Sequence, residues 1–303
     1  MTNDKGVTFM RAAVPELERV CVITQWGWKR PHIHQPGKDI VVPPVLNATV
    51  LTAGSPLLTA PPSQAKPFMN ATSVRPTYLL SFMGQVRPRD RGYSFGVRQQ
   101  IFRLYGNRSD CYLRDVSNAD SKSQSHNEYS SIMRASKFCL APSGMGFSTR
   151  VHEAIAMGCV PLIIQDEPQT KSDVEQAFES VLPYANFSLR LRQSDIARLP
   201  EILNALSDEH WHALRRGIAC VWPRVLWLQD EQHAYGGATS PLSTLRSVDA
   251  FETLIEVLKK RLLTRRRPGS SRTDRAPSPP PFDWRTHVES CSPVVGVPFS
   301  RSR

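Results

Sequence analysis

No stretch of the 303 residues is apolar over the roughly eighteen or more positions that a membrane helix needs. The opening MTNDKGVTFMRAAVPELERV has no apolar core of a secretory leader. The six cysteines (Cys21, Cys111, Cys139, Cys159, Cys220, Cys291) form no C-x-x-C pair and no metal-type spacing, which argues against a zinc module or a dithiol redox motif. D-x-D is absent, as are G-x-G-x-x-G and the P-loop lysine, so an acidic metal motif, the dinucleotide fingerprint and a P-loop are all excluded. Two H-x-H pairs, His32/His34 and His210/His212, have no third ligand nearby and read as surface or core histidines. No internal repeat is visible.

What is abundant is proline, 25 residues, and positive charge, a net +11. The charge is unevenly spread. From Lys259 onward there are eleven Lys/Arg against three Asp/Glu, so eight of the eleven net charges belong to the end of the chain. RRRPGSSRTDRAPSPPP (265–281) has a composition that cannot bury a core and reads as a disordered basic tail. No binding motif or interleaved aromatic pattern accompanies that charge, so nucleic acid is not an expected partner. Four of the eight asparagines, Asn47, Asn70, Asn107 and Asn186, lie in N-x-S/T, which favours a secretory-pathway lumen.

Apolar runs alternate with helical periodicity. CVIT and IVV are strands in the 21–45 region, and the Pro-, Thr- and Ser-rich 46–76 is a linker or long loop. TYLLSFMGQV (77–86) predicts a strand. YSFGVRQQIFRLYGN (93–107) predicts a helix with Val97, Ile101, Phe102 and Tyr105 on one stripe. A short helix and a buried strand follow over 127–142. VPLII and FSLRL (187–191) are further strands, and three helical stretches close the pattern: IARLPEILNAL, EHWHALRRGIACVWPRVLW and VDAFETLIEVLKKRLL. This order implies βαβ units and a parallel sheet, an α/β class.

FCLAPSGMGFSTRVHEAIAMGCVPLII (138–164) reads as strand, loop, helix and strand, with the helix beginning near Ser148. Gly144 and Gly146 precede it at the carboxyl end of a strand, where open parallel sheets bind ligands. Backbone N–H groups, Ser148 and the fork of Arg150 suit a phosphate, while Glu153 suits sugar hydroxyls. The same residues also suit a tight turn followed by an i, i+3 surface ion pair.

SKFCLAPSGMGFSTRVHEAIAMGCVPLIIQD (136–166) resembles the signature of the exostosin-type glycosyltransferases, family 47. PGKDIVVPP (36–44), SFMGQVR with YSFGVRQ (81–87, 93–99), LPYANFSLRLRQSDIARLPEIL (182–203) and VWPRVLW (221–227) agree with it in order. The resemblance covers about residues 20–260. It implies a GT-B fold of two Rossmann-like lobes. The activity implied is inverting transfer of a sugar from a nucleotide-sugar, UDP being the family's expected carrier, to a glycan hydroxyl. Carried over by position, Gly144, Gly146, Ser148 and Arg150 would meet the pyrophosphate and Glu153 the ribose. Gly84, Arg87 and Arg98 would supply the facing phosphate contacts. No metal or other cofactor is expected, since fixed donors and arginines can stabilise the leaving diphosphate. Asp39 is the candidate general base.

The resemblance also implies a division into residues 1–75, the remnant of an acceptor-side lobe plus linker; 76–264, the nucleotide-sugar lobe; and 265–303, the tail. On this reading the first lobe is incomplete, and an anchor that would place the protein in the Golgi is absent from this chain. The expected partners are a nucleotide-sugar, a glycan acceptor and, in the alternative reading of a non-catalytic homologue, an active glycosyltransferase that it helps to assemble. Cys139 and Cys159 are expected to be buried thiols, because Cys159 is taken to start its strand at the far end from Cys139.

Overall fold

The computed structural model describes residues 14, 16, 19–30, 34–46, 55, 75–90, 92–117, 126–167, 173–228 and 247–265. Most of the expected linker, all of the tail beyond Arg265, and His32, Asn47, Asn70 and Cys291 lie outside the described residues.

In chain order the strands are β1 (Ile23–Thr24), β2 (Gly27–Trp28), β3 (Ile40–Val41), β4 (Tyr78–Gly84), β5 (Cys111–Asp115), β6 (Ser136–Pro142), β7 (Val160–Ile164), β8 (Val174–Glu175) and β9 (Leu189–Arg190). The helices are α1 (Val97–Tyr105), α2 (His126–Arg134), α3 (Arg150–Ala156), α4 (Leu199–Ala205), α5 (Asp208–Val221) and α6 (Ala250–Arg265). Five strands form one sheet in the order β5-β4-β6-β7-β9, every pair parallel. This is the expected α/β class. Helices covering both faces of a parallel sheet leave its central strands dry; accordingly every residue of β7 is buried, as is every residue of β6 except Lys137.

β5 carries no sequence signal as a strand. All five of its residues are only half-buried, because it is the edge strand, and CYLRD lacks both an apolar run and clean alternation. α1 presents Val97, Ile101 and Tyr105 to the core as its periodicity requires, but it buries Arg98 as well. α3 starts at Arg150, two residues after the expected position, and ends where Gly158 takes the left-handed conformation (φ +70°) that stops a helix at little cost.

The 21–46 segment is fastened to the lobe rather than standing apart from it. β1 pairs with β3 in parallel and β2 pairs with β8 antiparallel. Phe178 N donates to Val41 O at 2.9 Å, and Trp227 Nε1 to Pro43 O at 2.8 Å. Ile40, Val42 and Leu46 share one apolar core with the parallel sheet.

Cys139 and Cys159 form a disulfide with a Cα–Cα distance of 6.0 Å, which corrects the expectation of two thiols. Parallel strands begin at the same end of a sheet. Phe138 faces Val160 and Cys139 faces Pro161, so Cys159 enters beside the first half of β6. The left-handed turn at Gly158 brings it close. Of the sequon asparagines, Asn186 has a buried amide nitrogen, and its backbone carbonyl packs on α5 so closely that a Cβ at Gly217 would lie 2.1 Å from it. Asn107, just beyond α1, is exposed. No described helix is long and apolar enough to cross a membrane.

Candidate functional site

The strand order makes β4 and β6 the central pair from which the chain winds outward in both directions. β4 leads to β5 on one side, and β6 leads to β7 and β9 on the other. Doubly wound sheets open a crevice at the carboxyl ends of the strands flanking such a switch point. The loops that leave those two strands are 85–90 and 143–149, the two segments that hold most of the residues expected to contact phosphate.

Arg98 reaches from α1 and laces these loops together. Its Nη1 donates to Gln85 O and Tyr93 Oη, both at 2.8 Å, and its Nη2 to Ser143 O at 2.9 Å. Burial leaves it 4% exposed and lowers its pKa to about 10, with the nearby Arg150 and Arg87 charges adding to the effect. Its hydrogen bonds therefore shape the crevice walls. Arg87 stands at the lip with φ +50°, its guanidinium over the Tyr93 ring at 4.5 Å and its Nη1 3.0 Å from the sulfur of the exposed Met145. Ser94 and Phe95 also hold left-handed backbone (φ 59° and 52°), so three non-glycine residues in a disfavoured region gather around this end of the sheet. Ser94 N binds Gly144 O at 3.1 Å, and Gln193 Nε2 binds Phe95 O at 2.8 Å, which together hold that turn.

Arg150 and Glu153, one turn apart on α3, meet at 2.8 Å. Tyr129 of α2 completes the group: its hydroxyl donates to Glu153 Oε2 at 2.5 Å and accepts from Arg150 Nη1. Thr149 Oγ1 donates to the other carboxylate oxygen at 2.8 Å, and Ser148 Oγ accepts from Arg150 N at 3.3 Å. Burial opposes the Arg150 charge, but the Tyr129 and Glu153 groups outweigh it and hold the guanidinium above its usual range. Burial likewise opposes the Glu153 charge, and Arg150, with the Tyr129 and Thr149 hydroxyls, outweighs it and holds the carboxyl below its usual range. At neutral pH the group is a cation, an anion and a neutral phenol. The second arm of the fork, Nη2, lies against Gly84, where a Cβ would come within 3.1 Å of it and 2.8 Å of the Phe82 ring. The fold thus brings Gly84 and Arg150 together across the switch point. Gly144 is hemmed by Phe147 O and Arg98, at 3.3 and 3.9 Å from a would-be Cβ.

Asp39 lies elsewhere. It is 0% exposed, and its carboxylate accepts from Val22 N at 3.1 Å and Gln35 N at 2.7 Å, the duty of a turn-stabilising aspartate. His34 is equally buried and 3.1 Å from Glu175. Among the described residues no group of three or more His, Cys, Asp or Glu could hold a metal ion.

A model of the exostosin GT47 domain matches residues 28–206, more than half of the chain. The chain belongs to the exostosin GT47 family. The parallel sheet with its switch-point loops is accordingly a GT-B-type α/β lobe. Among curated relatives, a "probable glucuronosyltransferase" of Oryza sativa subsp. japonica is 28% identical over 198 residues, 63% of this chain and 40% of that protein. Two "probable glucuronoxylan glucuronosyltransferases" of Arabidopsis thaliana are similar as well. One is 31% identical over 129 residues, 42% of this chain and 26% of the relative; the other is 26% identical over 210 residues, 67% and 39% respectively. The chain thus spans two fifths or less of the length of these relatives.

Sequence reasoning missed Tyr129, Tyr93 and His152. Each sits in a stretch whose pattern reads as ordinary amphipathic helix or loop, and no spacing marks it. His152 occupies another side of α3 from Arg150. It is 5% exposed, its pKa is lowered to about 4 by burial, and neither ring nitrogen has a hydrogen-bond partner among the described residues.

Proposed function

We propose that this chain is the donor-binding part of an inverting glycosyltransferase that moves a sugar from a nucleotide-sugar, with UDP as carrier, to a hydroxyl of a glycan or polysaccharide. The observation that carries the reading is the meeting of Arg150, Glu153 and Gly84 at the switch point of a parallel sheet, in loops whose sequence suits phosphate. Arg150, held charged, faces a glycine that lets backbone and ligand approach; Gly144, Gly146 and Ser148 line the opposite wall. Pyrophosphate there would draw the free arm of the Arg150 fork, and Glu153, one turn into the helix, would accept from ribose hydroxyls. Arg87 at the lip adds a second cation, while Arg98 holds the walls at their spacing. The developing diphosphate charge is then met by fixed cations and N–H donors, so the step draws on no metal. The polysaccharide acceptor is supported by the Arabidopsis relatives, which are named as glucuronoxylan glucuronosyltransferases. A Golgi lumen is supported by the disulfide, which persists in oxidising compartments, and by the exposed sequon at Asn107.

Thermal unfolding of the full chain with and without UDP tests this, beside an Arg150→Ala, Glu153→Ala double variant. At 100 times its dissociation constant UDP should add about 2.7 kcal/mol to a folded site. The expected result is a shift in the parent that vanishes in the double variant. A folded parent with no shift would sink the reading. UDP binding with no sugar transfer to xylan by a full-length version would instead favour a non-catalytic partner subunit.

A further inference from the structure

His152 is the buried titratable group that the phosphate and ribose contacts leave unused. Beside it lies a small cavity of about 20 Å³, lined also by Ser148, Gln165, Gln176, Glu175 and Trp26. Ser148 belongs to the proposed phosphate loop, so the cavity adjoins that loop. Trp26 belongs to the N-terminal segment. Gln165 and Gln176 are committed to each other and to the backbone: Gln176 Nε2 donates to Gln165 Oε1 at 2.9 Å and to Val174 O at 3.0 Å, and Gln165 Nε2 donates to Ala141 O at 3.0 Å. Among the described lining residues, which also include Gln25, the two nitrogens of His152 are the fully buried side-chain polar atoms without a hydrogen-bond partner.

A buried polar atom without a partner costs stability and calls for an explanation. A cavity of this volume has room for about one water-sized group. A neutral imidazole offers one donor and one acceptor, the complement of a hydroxyl, which also both donates and accepts. A carboxylate or phosphate does not suit the place, because the lining includes Glu175 and no lysine or arginine. With ribose at Glu153 and diphosphate on the 143–148 loop, the next unit of the donor is the sugar, and it would lie on the side where this cavity opens beside Ser148.

We infer that the His152 cavity is a subsite for one hydroxyl of the donor sugar, with His152 as its hydrogen-bonding partner. The inference rests on the nucleotide-sugar reading and adds to it a residue that recognises the sugar rather than the nucleotide. The test is calorimetric binding of UDP, UDP-glucose, UDP-galactose, UDP-xylose and UDP-glucuronate to the full chain and to His152→Phe and His152→Gln. At least one UDP-sugar should bind more tightly than UDP. His152→Phe should weaken that sugar about tenfold, a buried hydrogen bond's worth, while leaving UDP unchanged. His152→Gln should restore most of the loss, which a merely structural role would not predict. In the parent, the imidazole nitrogen resonances of His152 should move with that sugar and not with UDP, a reading that holds even where a variant fails to fold. Sugar-dependent tightening untouched by His152→Phe, or resonances blind to every sugar, would overturn the subsite alone. Failure of UDP itself to bind the parent would overturn the function proposed above and this subsite with it.

Discussion

On one side of α3 the Arg150 guanidinium, the Glu153 carboxylate and the Tyr129 hydroxyl satisfy one another, with Thr149 taking the remaining carboxylate oxygen. On another side His152 is more deeply buried, 5% exposed, and its ring nitrogens pair with no described residue. The difference teaches how one short helix tolerates polarity in two ways. Charges are kept charged by partners that outweigh desolvation. The His152 imidazole is kept neutral because desolvation outweighs the opposing pull of the Glu153 charge. The paired side is therefore stable without ligand, whereas the unpaired side is where a ligand has most to gain.

The largest effect should come from breaking the paired side. Glu153→Ala leaves Arg150 without its carboxylate in a largely buried place and should cost about 4 kcal/mol in urea unfolding at neutral pH. Cutting the strands beneath both sides comes next. Cys159→Ala opens the disulfide, whose loop of 20 residues contributes about 3 kcal/mol by chain entropy. It should weaken the fold while leaving the sense of the His152 effect unchanged.

The unpaired side should reveal itself through pH. The folded His152 pKa lies near 4, below the ordinary imidazole value of 6.5, so between those values the unfolded chain binds a proton that the folded chain does not. Stability from this group is complete above about pH 6.5 and declines as pH falls towards 4, by about 3 kcal/mol in total. His152→Phe should lack that component, which unfolding at pH 7 and pH 5 would check. Glu153 acts lower, its stabilisation being lost as pH falls through its depressed folded value, so the two sides separate along the pH axis. The smallest effect is expected for Tyr129→Phe, about 1 kcal/mol, because Arg150 and Thr149 still hold the carboxylate. A loss as large as that of Glu153→Ala would mean that the phenol, not the ion pair, closes the paired side.

The switch-point loops were legible in advance because glycines, a serine and an i, i+3 Arg–Glu pair follow an apolar run, and local chemistry of that kind depends on few distant residues. Tyr129 was not legible, since only the packing of α2 against α3 turns an ordinary helix tyrosine into a partner of both charges. β5 escaped notice because an edge strand needs no apolar run. The disulfide was misjudged because a pair of cysteines 20 residues apart says nothing of where each strand begins.

The sequence by itself determined the α/β class, the six helical stretches and where along the chain most of the long strands fall, because burial on both faces of a parallel sheet and on one stripe of a helix writes a period into the chain. It also determined that phosphate-suited residues stand at the end of a strand. Tertiary structure alone decided that this end is the switch point, that Arg150 spends one arm on Glu153 and turns the other to Gly84, and that Arg98 laces the two loops together. It alone decided that Asp39 is sealed inside a turn and that His152 finds no hydrogen-bond partner among the described residues. These outcomes depend on which residues meet across the sheet, and strand order and register, not local pattern, fix such meetings.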